Sequence, residues 1–174
     1  MTVAEEGIPA AREEREEFRV PRVLRAAEVL NADGERMRGR VFLPATAEAH
    51  RGAMRAEEWM NDPAEFYPFL PDGDGSPTIL SKAQTVMITV MASADRDETL
   101  ENAPAPVRRV WVECGAVHVE GEVVMDLPVQ QSRVLDLLNR KEAFLTIRDG
   151  ELHHLVHKSH ITRVTEARSS GREA

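Results

Sequence analysis

Arg133-Val-Leu-Asp-Leu-Leu-Asn139 has a counterpart earlier in the chain, Arg55-Ala-Glu-Glu-Trp-Met-Asn61. Both read Arg-x-x-acid-apolar-apolar-Asn. A phenylalanine follows each Asn at the same distance, Phe144 and Phe66. A glycine precedes each segment, Gly121 and Gly39, and a lysine follows, Lys158 and Lys82. The offset falls from 82 residues at the glycines to 76 at the lysines, as insertions in loops would produce. Ordered agreement of this kind predicts an internal duplication.

Strand signals surround both segments. In the second stretch Val107 to Val112 and Val117 to Met125 read as strands about a turn at Glu113–Ala116. Phe144 to Ile147 and Leu152 to Lys158 follow, and Ile161 to Val164 closes the unit. In the first, Val23 to Leu30 and Met37 to Leu43 flank Asn31-Ala-Asp-Gly34, a strong turn signal. Phe66 to Phe69, Thr78 to Lys82 and Val86 to Val90 complete it. The central segment is a short helix in each. Val134, Leu137 and Leu138 fall at i, i+3 and i+4, one apolar face, and Ala56, Trp59 and Met60 match them. Ser132 can cap the second helix. Asn61 and Asn139 stand where a left-handed cap is wanted.

The expected fold class is therefore α+β, mainly β. It consists of two tandem strand–strand–helix–strand–strand repeats, forming small barrel-like or shared-sheet units with pseudo-two-fold symmetry. Residues 1–20 form a charged arm, 21–92 the first repeat, 93–106 a linker, 107–165 the second repeat and 166–174 a disordered tail. A unit of this size has a marginal core, so two gain by sharing one or by pairing their strand edges.

The pattern Gly121-Glu-Val-Val-Met125, Arg133-x-x-Asp136-x-Leu138-Asn139, Phe144-Leu, Lys158-x-x-Ile161 resembles a family of uncharacterised bacterial domains. The first copy departs from it at Glu58 and Met60. The resemblance covers most of residues 22–165 and implies kinship of fold, with no activity attached. A weaker resemblance is to PilZ-type barrels, which bind cyclic dinucleotides. Arg15-Glu-Glu-Phe-Arg19 fits their Arg-x-x-x-Arg spacing. Their second motif, Asp/Asn-x-Ser-x-x-Gly, has no counterpart, since Asp126-Leu-Pro-Val-Gln-Gln131 lacks both Ser and Gly.

Composition excludes several classes. Of 174 residues, 42% are hydrophobic, enough for a packed interior, yet no apolar run approaches the roughly 20 residues of a membrane span. The polar start, Met1 to Phe18, has no secretory signal, so a cytoplasmic location is expected. Cys114 is the single cysteine, which rules out an intrachain disulfide. Thirty acidic against 22 basic residues give a net charge of −8, which disfavours nucleic acid as a partner.

Candidate chemistry is sparse. His153-His154-x-x-His157-x-x-His160 offers imidazoles, with His153 and His157 sharing a strand face as weak metal candidates and His154 and His160 on the other. A solvated strand end is the plainer reading, and no cofactor is expected. Arg55/Glu58 and Arg133/Asp136 sit at i, i+3 and read as ion pairs that fix the helix. Arg55 and Arg133 are also the candidates for an anion held between the repeats. Trp59, Phe66, Tyr67 and Phe69 form an aromatic cluster; most should be core, and some are candidate surface anchors for a protein partner. No nucleophile, base and oxyanion donor come together. The expected function is a non-enzymatic bacterial binding or regulatory module acting through protein–protein contacts or self-association, as a homo-oligomer. The alternative is a sensor of a small anionic ligand or nucleotide.

Overall fold

The computed structural model describes residues 21–48, 52–73, 75–91, 105–126, 128 and 133–167. The charged arm, most of the expected linker, Ser132 and the last seven residues lie outside them.

Alternation of inward apolar and outward polar side chains builds the strands. In Val117–Val124 the buried positions are Val119, Gly121 and Val123, while His118, Glu120 and Glu122 face solvent. Glycines in positive φ let the hairpins turn tightly: Gly34 (φ 88°) after the first strand and Gly115 (φ 63°) between the sixth and seventh. The first half contains β1 (Arg22–Asn31), β2 (Arg36–Pro44), α1 (Ala56–Met60), β3 (Phe66–Pro71), β4 (Thr78–Ser81) and β5 (Thr85–Met91). The second contains β6 (Val107–Cys114), β7 (Val117–Val124), α2 (Val134–Leu138), β8 (Phe144–Asp149), β9 (Leu152–His157) and β10 (Arg163–Glu166). Each half thus has a fifth strand, set off by a 3₁₀ turn at Lys82–Gln84 or Lys158–His160.

The ten strands form one antiparallel sheet in the order β10-β6-β7-β8-β9-β5-β1-β2-β3-β4. Within each half the order is the same: fifth strand, first, second, third, fourth. The halves meet where β9, a fourth strand, pairs with β5, a fifth strand. Unlike strands meet at this joint, so the halves stand head to tail. The expected pseudo-two-fold arrangement, which would join like to like, is not what holds them.

Gly39 and Gly121 occupy matching ladder positions, opposite Ala27 and Val110. At each, the third strand of the half crosses so closely that a side chain has no room. A β-carbon on Gly39 would strike the Leu70 carbonyl and the Phe69 ring. On Gly121 it would strike the Arg148 carbonyl and the Ile147 side chain. Beyond the crossing the strands part: β7 and β8 pair only at Glu122 and Arg148.

Two apolar cores result, and each borrows across the joint. Phe144 and Leu155 of the second half are buried with Val29, Trp59, Tyr67 and Ile88 of the first. Leu30, Val86 and Met87 of the first half are buried with Val110, Val123 and Ile147 of the second. Alternation along β5 and β9 explains the exchange, because successive residues face opposite sides of the shared sheet.

Three local expectations need correction. Arg55 and Arg133 are themselves the residues that open the helices. Glu58 and Asp136 accept from the Arg55 and Arg133 backbone N–H groups (3.1 and 3.3 Å), so the acids cap the turn rather than merely pair with the guanidinium. Asn61 (φ −93°) and Asn139 (φ −85°) are not left-handed. The His157 and His160 rings lie 5.4 Å apart, brought together by the 3₁₀ turn that the strand reading of His160 missed.

Candidate functional site

Asn61 ends α1 and points across the joint. Its side-chain oxygen accepts from the Phe144 N–H (2.8 Å) and its amide nitrogen donates to the Phe144 carbonyl (3.3 Å). These backbone groups belong to β8 where β7 has parted from it, so the Asn side chain stands in for a missing strand. Thr146 adds a hydroxyl donated to Glu57 (3.3 Å). His160 Nε2 lies 2.8 Å from the Ala83 carbonyl, and Thr89 Oγ1 lies 2.9 Å from His154 Nδ1. Ile88 and Leu155 face each other on the two central strands, at 0% and 1% exposure.

The counterpart positions at the outer ends of the sheet are open. Ser81 pairs with Phe66 as His157 pairs with Phe144, so Ile79 holds in β4 the place that Leu155 holds in β9. Ile79 is 66% exposed and Phe66 is 58% exposed, against 3% for Phe144. Leu135 on α2 matches Glu57 on α1 and is 62% exposed. Asn139 is exposed, and its side chain makes no hydrogen bond among the described residues. Of the aromatic cluster, only Phe66 is available to a partner. Trp59, Tyr67 and Phe69 are core residues (5%, 1% and 0% exposed), which corrects the surface reading. Trp59 and Tyr67 pack edge to face, and the Tyr67 hydroxyl meets Thr85 (2.9 Å), with burial pushing its pKa up to about 12.

An open cleft of about 800 Å³ runs beside the joint. Arg55, Arg140, Arg148 and Lys158 line it, with Glu57, Glu58, Asp126 and Glu142 interspersed. Arg55 thus lines a cleft together with residues of the second half. Arg133 is exposed and is not among the lining residues. Lys158 donates to the Leu138 and Arg140 carbonyls (3.2 and 2.7 Å) at the end of α2. Burial lowers its pKa from the usual value. Lys82 does the same for α1, donating to the Trp59 and Asp62 carbonyls (2.8 and 3.1 Å) and pairing with the Asp62 carboxylate (2.6 Å).

The histidines serve the strands. Ser159 Oγ lies 2.7 Å from His157 Nδ1, and the His157 ring meets Phe144 edge to face. Burial lowers the pKa of His154 and of His157. Among the described residues no group of three His, Cys, Asp or Glu could hold a metal ion, so His153 and His157 form no ligand set there. Arg15 and Arg19 lie outside the described residues.

Sequence reasoning missed Ile79, Leu135 and the cleft residues Arg140 and Arg148. Ile79 sits at an ordinary apolar strand position, and only strand order leaves it exposed where Leu155 is buried; Leu135 lies off the apolar face of its helix, at the place that Glu57 holds in α1. No helix among the described residues is long and apolar enough to cross a membrane. No protein-family model, curated protein or solved structure matches the chain.

Proposed function

We infer that this chain is a non-enzymatic binding or regulatory module, cytoplasmic, that works through protein–protein contact, self-association included. It is read as a tandem duplication of one five-stranded unit. The matching strand orders, the two crossing glycines, the two capping acids and the two helix-end lysines support that origin. One observation carries the functional reading: the β4 edge presents Ile79 to solvent at 66% exposure, with Phe66 of the adjoining β3 exposed beside it at 58%. An unpaired strand edge with apolar side chains is a template for another chain. A photo-crosslinking amino acid placed at Ile79, in cells producing the protein, is expected to capture a polypeptide. Absence of any protein adduct, with the variant folded, overturns the reading.

The alternative is an anionic ligand or nucleotide held in the cleft. Arg55, Arg140, Arg148 and Lys158 favour it. The four carboxylates beside them cancel most of the attraction, which places this reading second. A thermal-shift titration with pyrophosphate and with ADP tests it. Stabilisation that Arg55→Gln abolishes supports it, and no shift with either compound removes it.

A further inference from the structure

The geometry points to head-to-tail assembly of the chain, in which β4 of one copy pairs with β10 of the next, repeating the β9·β5 joint. The inference rests on the self-association reading above and specifies its surface.

The internal joint serves as the template. It joins the fourth strand of one unit to the fifth strand of another. Among the described residues the ends of the sheet carry one spare fourth strand, β4, and one spare fifth strand, β10. Val164 pairs with Val112 as Ile88 pairs with Val29, so Val164 holds the place of Ile88. Repeating the internal register sets Ile79 of one copy against Val164 of the next, where Leu155 meets Ile88 inside the chain. The strand polarity is fixed by this repetition, and both edges are antiparallel to their existing neighbours.

The side contacts translate as well. Asn139 would reach the Phe66 backbone of the neighbouring copy as Asn61 reaches Phe144. Among the described residues neither the Asn139 side chain nor the Phe66 ring has comparable cover. Glu57 meets Thr146 at the internal joint. Leu135 and Pro68 hold those two places at the outer one, so a polar contact becomes an apolar contact with both sides changed together. Thr165 and Thr78 replace Thr89 and His154, so a hydroxyl–imidazole pair becomes a pair of hydroxyls. Gln84 replaces His160, keeping a side-chain donor for the Ser159 carbonyl.

Two differences weaken the outer joint. Thr162 and Arg163 stand where Val86 and Met87 are buried, and Pro77 lacks the N–H that His153 has. The outer joint therefore buries less apolar surface and forms reversibly with concentration. Because its two faces differ, it does not stop at a dimer: copies add until a ring closes or a filament grows.

Two blocked variants test this. Ile79→Lys disables the β4 edge, and Val164→Lys disables the β10 edge. Sedimentation of the wild-type chain across a hundredfold concentration range is expected to show multiples of 19.4 kDa that grow with concentration. Each variant alone is expected to stay monomeric and to keep its strand signal in circular dichroism, with Val164→Lys lowering stability because Val164 also packs against the second core. Mixed, they are expected to form a one-to-one dimer and nothing larger, since each retains one complementary edge. A wild-type monomer at every concentration overturns the inference but leaves a different protein partner at Ile79 open to the crosslinking test. Self-association that Val164→Lys leaves intact also overturns it, pointing to β4 pairing with β4, while the contact-module reading stands.

Discussion

The two halves solve one problem with different chemistry. In the first, Lys82 is 6% exposed and ties the end of α1 to a carboxylate as well as to two carbonyls. In the second, Arg140 stands where Asp62 would be, and among the described residues Lys158 hydrogen-bonds carbonyls alone, less deeply buried and with its pKa lowered by burial. The first helix packs Trp59 and Met60 into a closed core, whereas Leu137 and Leu138 are only half buried. What persists is the part that addresses backbone: the glycine at the crossing, the acid at the cap, the lysine at the helix end. These groups meet backbone at matching positions in both halves, and a backbone partner leaves little room for change. Side chains that meet side chains are free to vary in concert.

The largest effect is expected where the halves agree. Gly39→Val and Gly121→Val should each cost about 3 kcal/mol or more in urea unfolding, because the obstruction is a strand backbone that cannot move aside. A harmless substitution at one of them would break the equivalence of the halves. Next come the lysines. Lys82→Met should cost about 3 kcal/mol by leaving the Asp62 carboxylate without its buried partner. Lys158→Met leaves two neutral carbonyl acceptors without their donor and should cost about 1 kcal/mol. Equal losses would contradict the contrast drawn above.

The asparagines sharpen it further. Asn61→Ala strands the Phe144 N–H and carbonyl and should cost about 2 kcal/mol. Asn139→Ala, measured in dilute solution, should change stability by less than about 0.5 kcal/mol. The smallest effect is acid sensitivity of the joint. His154 and His157 have folded pKa values below the ordinary 6.5, chiefly through burial. The unfolded chain then binds protons first as pH falls. Their contribution is full above about 6.5 and is lost progressively as pH drops from there toward the folded values. Chemical denaturation between pH 7.5 and 5.5 should show this decline, and His154→Gln should flatten it.

Much of the strand pattern was legible in the sequence. Val117 to Met125 alternates cleanly, and the Gly and Asp turns mark where it reverses. The helices were legible from apolar spacing despite being one turn long. The register of Asn, Phe and Lys also placed the two helices correctly relative to their strands. What could not be read was which edge meets which. Ile79 and Leu155 look alike in sequence, and the difference between burial and exposure is set by a partner strand many residues away. For the same reason the sequence did not say which of Trp59, Phe66, Tyr67 and Phe69 would be core and which exposed. Aromatic residues between prolines suit an interface or a core equally, and only the fold of α1 over β3 decides. The role of Asn61 was hidden too, because its partner lies in the other half, 83 residues on.

The borrowed interiors have a thermodynamic consequence. Neither half owns its core: one needs Phe144 and Leu155, the other Leu30, Val86 and Met87. Expressed alone, each would expose the groove left by the other and fail to fold, however complete its list of strands. Heating the whole chain should therefore give a single calorimetric transition rather than two. A protease cut within residues 92–104 should yield fragments that remain associated until that same transition releases both.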